Sequence, residues 1–278
     1  MSMSAGRATI GDALPARLAA YYAAIDAGRM DEAVDQFTSD CVYAVPGVGV
    51  ETQPRVLSEG RDALRQRLDA RGHRPRAHVV RLCVVEDDQC LLEGVVVETT
   101  SASPVATFVA SAVLSAVDGR IERYLAFSCE EARDPIPADA PSAAPASVSA
   151  VLDDYFGALD SGRFEAAAAC FSDSVLYSHP PYKHTQIDGD KRIEFRGRAA
   201  LLAAFRARGR QSFGHEILVC IQRGPHALLE GVVHDLPDGG SGSFISSLSL
   251  DAKGRISRYV SFYCEPSVAA RRTPLSQS

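Results

Sequence analysis

Tyr21–Phe37 reads YYAAIDAGRMDEAVDQF, and Tyr155–Phe171 reads YFGALDSGRFEAAAACF. Tyr21 matches Tyr155, Asp26 matches Asp160, Gly28-Arg29 matches Gly162-Arg163, and Phe37 matches Phe171, all at one offset of 134 positions. Tyr43 and Pro46 continue the register onto Tyr177 and Pro180. After a short insertion in the second half the offset becomes 137. Gly60-Arg61 then meets Gly197-Arg198, His78 meets His215, Cys83 meets Cys220, and Glu93-Gly94-Val95-Val96 meets Glu230-Gly231-Val232-Val233. Near the end, Gly119-Arg120-Ile121, Arg123-Tyr124 and Phe127 fall on Gly254-Arg255-Ile256, Arg258-Tyr259 and Phe262. Ordered matches over the whole of both halves mean duplication.

The organisation follows: a first domain over 1–131, a Pro/Ala-rich linker over 132–147 (ARDPIPADAPSAAPAS), and a second domain over 148–278. Four prolines among small residues give the linker no core of its own. In each copy, apolar residues at three- and four-residue steps (Leu14, Leu18, Tyr21, Tyr22, Ile25; Leu152, Tyr155, Phe156, Leu159) predict an opening helix. Gly28 and Gly162 stand where a helix closes in a left-handed residue. A short second helix, a strand at Tyr43 or Tyr177, a polar loop and a third helix after Gly60 or Gly197 follow. Four β-rich runs complete each copy; in the first they are Val79–Val85, Leu91–Thr99, Ala106–Val117 and Ile121–Cys129. The expected fold is α+β: two tandem cone-shaped domains, each a curved antiparallel sheet wrapped over about three helices.

Bulk properties exclude several functions. The 278 residues carry a formal net charge of −6, with 46% hydrophobic residues. That balance argues against binding to nucleic acid or to an anionic membrane. The N-terminus lacks a signal-peptide pattern and no run reaches spanning length, so a cytoplasmic location is expected. Seven cysteines without a C-x-x-C pair support neither a metal ribbon nor a disulfide framework. Rossmann, P-loop and nucleophile-elbow patterns are all absent, which disfavours nicotinamide, ATP and serine-hydrolase chemistry.

The run Y-x-x-A-[IL]-D-x-G, followed by an acidic turn, a short strand and a proline, resembles the ketosteroid-isomerase-like superfamily. Its nuclear-transport-factor-2-like and SnoaL-like polyketide-cyclase branches are included, and the resemblance covers about 14–130 and 149–266. It implies a cone-shaped fold with a deep cavity, hosting isomerases, cyclases, dehydratases, epoxide hydrolases and non-catalytic modules. Carried over, the oxyanion-donating tyrosine of the first helix falls on Tyr21 and Tyr155. The general base, which directly precedes a proline, falls on Val45 and His179. The second oxyanion donor falls near Ser111 and Ser246.

Only the second copy therefore has an acid–base group at the base position. Five of the seven histidines lie there: His179, His184, His215, His226 and His234. The loop YSHPPYKHTQIDGDKRIEF (Tyr177–Phe195) is longer than its counterpart. The functional reading makes His179 the base, Tyr155 the oxyanion donor and His215 or His234 the complementary acid. Tyr177, Tyr182, His184 and Glu230 are the expected substrate-binding residues. Glu230, Val232 and His234 share a strand face, so Glu230 could orient His234 if that face lines the cavity.

A bland reading stands beside each assignment. Tyr21 and Tyr155 can be core aromatics, His179 a surface-loop residue, and His226, after Gly224-Pro225, a turn residue. His78 and His215, being equivalent, can share a structural role. Glu93 and Glu230 have Arg123/Arg258 or Arg61/Arg198 as candidate partners, and the paired cysteines read as small hydrophobes. His179, His184, His215 and His234 with Asp188 or Glu230 could also converge on a metal, but none has ligand spacing on one element. The expectation is no metal and no cofactor.

The leading expectation is a cofactor-independent isomerase, cyclase or dehydratase acting on a small organic substrate, linked by the resemblance to secondary metabolism. The alternative is a non-catalytic ligand-binding or protein-interaction module. Family members pair sheet to sheet, so an internal pseudo-dimer and a possible homodimer are expected of the two copies.

Overall fold

The structure is a computed structural model and describes residues 10–45, 56–129, 146–180, 192–237 and 239–264. The chain divides into two compact units that follow the repeat through most of their length. Most of the Pro/Ala-rich stretch lies outside the described residues. No described helix is long and apolar enough to cross a membrane.

The first unit runs β1 (Ile10–Gly11), α1 (Ala16–Asp26), α2 (Met30–Val34), β2 (Phe37–Val45), β3 (Val56–Glu59), α3 (Arg61–Arg71), β4 (Arg76–Glu86), β5 (Gln89–Glu98), β6 (Pro104–Leu114) and β7 (Ile121–Cys129). Among the described residues the second repeats this from the first helix onward: α4 (Val148–Asp160), α5 (Phe164–Ala169), β8 (Phe171–His179), β9 (Ile193–Arg196), α6 (Arg198–Arg208), β10 (Gly214–Arg223), β11 (His226–His234), β12 (Gly242–Leu250) and β13 (Ile256–Cys264).

The periodic residues do what their spacing requires. Leu18, Tyr21, Tyr22 and Ile25 are buried on α1, as are Leu152, Tyr155, Phe156 and Leu159 on α4. Both helices then turn at a left-handed glycine, Gly28 (φ 71°) and Gly162 (φ 74°), a backbone shape that costs a residue with a Cβ about 1 kcal/mol or more. The helices α1 and α3 pack on β4 and β2, and α6 packs on β8.

The sheets differ from the expectation in two ways. Short strands β3 and β9 occupy what reads as loop, pairing antiparallel with β2 and β8. Each sheet is also mixed. Its order is β1-β4-β5-β6-β7-β2-β3 in the first unit and β10-β11-β12-β13-β8-β9 in the second. The last long strand returns parallel to the first, β7 beside β2 and β13 beside β8. This parallel register sets Tyr43 beside Tyr124 and Tyr177 beside Tyr259, which brings their rings into the interior as stacked pairs 5.4 and 5.2 Å apart.

The repeated Glu-Gly-Val-Val also acquires a cause. A Cβ on Gly94 would stand 2.5 Å from Phe108 Cε1 and 2.6 Å from the Val79 carbonyl oxygen. One on Gly231 would meet Phe244 and, at 2.5 Å, the Glu216 oxygen. Each glycine lets the phenylalanine of the next strand lie across it. Replacing Gly94 or Gly231 with Ala is expected to destabilise the chain by about 1–3 kcal/mol in chemical denaturation. Gly157→Ala, on the exposed side of α4 with open space around it, should stabilise by up to about 1 kcal/mol.

Candidate functional site

In each unit an aspartate closes the first helix and reaches the first long strand. Asp160 Oδ2 accepts the backbone N–H of His215 at 2.9 Å, and Oδ1 accepts the His215 ring Nδ1–H at 2.7 Å. Asp26 holds His78 in the same way, at 2.8 and 2.6 Å. The imidazoles stack on the neighbouring helix residue, His215 on Phe156 (4.7 Å) and His78 on Tyr22 (5.1 Å). This clasp fixes the helix on the sheet, so the shared pair His78/His215 has a structural part in both units.

One turn and a half earlier on the same helix stands the tyrosine. The Tyr155 hydroxyl is 3.1 Å from that of Tyr177, and the Tyr21 hydroxyl is 3.0 Å from that of Tyr43. Tyr155 is 1% exposed, with Phe156, Phe171, Phe205 and Tyr259 around it. Burial holds the Tyr155 proton well above the ordinary phenol range, and the neighbouring Tyr177 reinforces the effect. Burial likewise raises Tyr177, while its bond to Tyr155 pulls the other way. Either hydroxyl can donate in this bond, and both phenols stay neutral.

The units diverge around this shared pair. In the first, Tyr22 bonds Tyr124 through their hydroxyls at 2.8 Å. In the second, Phe156 replaces Tyr22, and the Tyr259 hydroxyl takes a bond from Ser246 Oγ at 3.0 Å instead. Ser246 also lies 2.9 Å from Ser261 Oγ. The position of the second oxyanion donor thus holds a fully buried serine network.

The main divergence is His179. It is the last residue of β8 and 5% exposed, so the surface-loop reading fails. Its ring centroid is 5.6 Å from that of Tyr177. Its Nδ1 lies 2.6 Å from the Pro180 carbonyl oxygen, which can only accept, so Nδ1 carries the proton and Nε2 the lone pair. Burial lowers its pKa from the ordinary 6.5 to about 3. Arg208 and Arg192 add to the fall, and the bond to Pro180 opposes it. Arg192 is anchored by Ser178 Oγ (2.9 Å) and by the Ser178 and Ser261 carbonyls, with its guanidinium 4.4 Å over the Phe262 ring. In the first unit Val45 occupies the equivalent place and packs against the apolar core.

The structure brings His179, Tyr155 and Tyr177 together and separates the other expected residues. His234 Nε2 lies 2.6 Å from Glu216 Oε2, with both side chains about half exposed. Successive residues of a strand point to opposite faces. His215 turns to α4, so Glu216 and the His234 it holds lie on the other face. Glu230 is buried on β11. Arg61 donates to the Phe37 carbonyl, and Arg198 pairs with Asp173. His226 opens β11 and is buried; it is not in the turn. Tyr182, His184 and Asp188 lie outside the described residues. Among those described, no group of three or more His, Cys, Asp or Glu could hold a metal. A surface hollow of about 450 Å³ on the outer side of α4, lined by Asp153, Asp154 and Cys170 among others, contains none of the expected site residues. Sequence reasoning missed Arg192 and Arg208; the second was signalled only by its place in the last turn of the third helix.

The sequence profile of the SnoaL-like domain matches the chain twice, over 18–124 and 152–259. The chain belongs to the SnoaL-like family. Among solved structures, a candidate ketosteroid isomerase from Kribbella flavida DSM 17836 is similar at 23% identity and a TM-score of 0.33, covering 42% of this chain and 76% of that one. A candidate polyketide cyclase from Sinorhizobium meliloti matches at 22% identity and a TM-score of 0.31 over 41% and 94% of the two chains. An LEH-like epoxide hydrolase from M. tuberculosis matches at 18% and 0.32 over 41% and 80%. No curated protein matches the sequence.

The buried histidine of the second SnoaL-like unit gives a pH signature. Between about pH 6.5 and 3 the unfolded chain protonates His179 while the folded chain does not, so the native state loses stability as pH falls through that window. Relative to His179→Gln, the wild-type chain should lose about 1.4 kcal/mol per pH unit there, and nothing above it. Urea titrations of both chains across that range measure the difference, and parallel curves would contradict the burial of a neutral His179.

Proposed function

We propose that the second unit is a cofactor-independent acid–base enzyme of the isomerase, cyclase or dehydratase class, acting on a small carbonyl-bearing molecule. The observation that carries this reading is His179, buried with an unprotonated Nε2 beside a neutral tyrosine pair, in one unit only.

His179 stays neutral throughout the physiological range, so Nε2 can accept a proton from the carbon next to a bound carbonyl. The electron pair of that C–H bond moves to the carbonyl oxygen, and an enolate forms. The tyrosine pair, with the Tyr177 ring next to the histidine ring, supplies the donor to that oxygen. A preorganised donor of this kind contributes about 3–4 kcal/mol of barrier lowering. The proton now on His179 Nε2 returns in one of three ways: to another carbon of the enolate, to a β-hydroxyl that the enolate expels as water, or to the oxygen of a second carbonyl that the enolate carbon attacks. These outcomes are isomerisation, dehydration and cyclisation, and the same residues serve all three. His215, committed to Asp160, and His234, paired with Glu216 near solvent, are not needed for the first step.

The first unit keeps the tyrosine pair but has Val45 in place of the base. That substitution favours a binding or structural role for it.

Incorporation of solvent deuterium at the α-carbon of a panel of cyclic and β-hydroxy ketones, followed by NMR, tests the reading without a known substrate. His179→Ala should lower the rate by about 10²–10⁴, and Tyr155→Phe by about 10-fold or more. Tyr21→Phe should leave it unchanged. Equal exchange by wild type and His179→Ala would overturn the assignment.

A further inference from the structure

We propose that the second unit's site takes an organic anion, a substrate bearing a carboxylate, and that the Arg208 guanidinium is the group that recognises it; this rests on the acid–base reading above. Arg208 stands at the end of α6. Its guanidinium carbon is 6.0 Å from the Phe205 ring centroid, and that ring lies 6.2 Å from Tyr155 and 6.0 Å from Tyr177. Its charge acts on Tyr155, Tyr177 and His179 alike. The arginine therefore lies one aromatic ring away from the tyrosine pair.

What distinguishes Arg208 is its lack of an acceptor. Its Nε–H is buried and unsatisfied, and among the described residues its guanidinium makes no hydrogen bond or ion pair. Other arginines of the unit are engaged: Arg198 with Asp173, Arg206 with Glu165, and Arg255 with Asp251. A buried guanidinium N–H without an acceptor is unfavourable, and native proteins rarely leave one so. The planar fork of an arginine matches a carboxylate bidentately, giving short charge-assisted bonds. A bound carboxylate would satisfy Arg208 where no side chain does.

The same assignment resolves a difficulty in the chemistry. Burial first, and then the charges of Arg208 and Arg192, make the His179 Nε2 a weak base in the empty site. An anionic substrate neutralises the field of Arg208 and raises the basicity of the imidazole as it binds. The base is then competent when an acid-bearing substrate is present. A neutral ketone lacks this gain and is expected to exchange more slowly.

The test uses the full chain and calorimetric titration with 2-naphthoate and its neutral isostere 2-naphthamide. The acid is expected to bind at least about tenfold more tightly than the amide. Arg208→Met should abolish that preference. Arg208→Lys, which keeps the charge and loses the fork, should reduce it severalfold and guards against misfolding of the first variant. Arg71→Met, at the corresponding place in the first unit, should leave one preferring site per chain. Equal affinity for acid and amide, or a preference that survives Arg208→Met, would overturn the proposal. So would a preference removed by Arg71→Met alone. A preference lost in Arg208→Met without α-deuteration by the wild type supports the anion site and sinks the acid–base reading. Equal affinity for acid and amide together with His179-dependent α-deuteration of ketones sinks the anion site and leaves that reading intact.

Discussion

The clasp between the last residue of the first helix and the first long strand is the constraint on which each unit's interior depends. Both oxygens of Asp160 are committed, one to the backbone and one to the ring of His215, so the helix can neither slide nor rotate without breaking two bonds to a charged acceptor. Tyr155, five residues earlier, is thereby aimed at Tyr177, and Phe156 at the imidazole. Asp26 does the same for Tyr21 and Tyr22. The glycine two residues beyond each aspartate completes the arrangement, because its left-handed turn releases the chain immediately after the side chain that must reach back.

This explains how much could be read from the chain alone. Asp, Gly, Tyr and His are each held by a stereochemical or hydrogen-bond demand that few other residues meet, so they survive duplication as identities and reveal the repeat. The glycines of the two Glu-Gly-Val-Val strands survive for another reason, the phenylalanine lying across each. The strands β3 and β9 carry no such marks. Each is four residues long, and edge pairing to β2 or β8 asks little of side chains.

The parallel junction of β7 with β2 was also out of reach, since pairing between distant strands leaves no local periodicity. The site was legible in part. His179 stood out because its partner position is Val45. His234 was misplaced because alternation says which residues share a face but not which face is inside. Glu216, which holds it, belongs to the neighbouring strand. Arg208 carries no mark in the sequence, because what sets it apart is a buried Nε–H without an acceptor, a property of the folded state.

Set at equivalent positions of one scaffold, Val45 and His179 allow a comparison of costs. Valine at the end of β2 packs against apolar neighbours and carries no penalty. Histidine at the end of β8 loses its hydration, is denied its proton over the range where a free imidazole titrates, and lies in the field of two arginines. Nothing in the fold requires this, since the first unit forms the same sheet, clasp and tyrosine pair without it. A duplicated domain that concentrates an energetic cost at one position, while keeping the positions that hold the backbone, has departed from its scaffold at a place that stability does not explain. The unsatisfied Arg208 is a second such cost beside the first. Two polar groups kept unfavourable within the same aromatic interior are consistent with a ligand that relieves both at once.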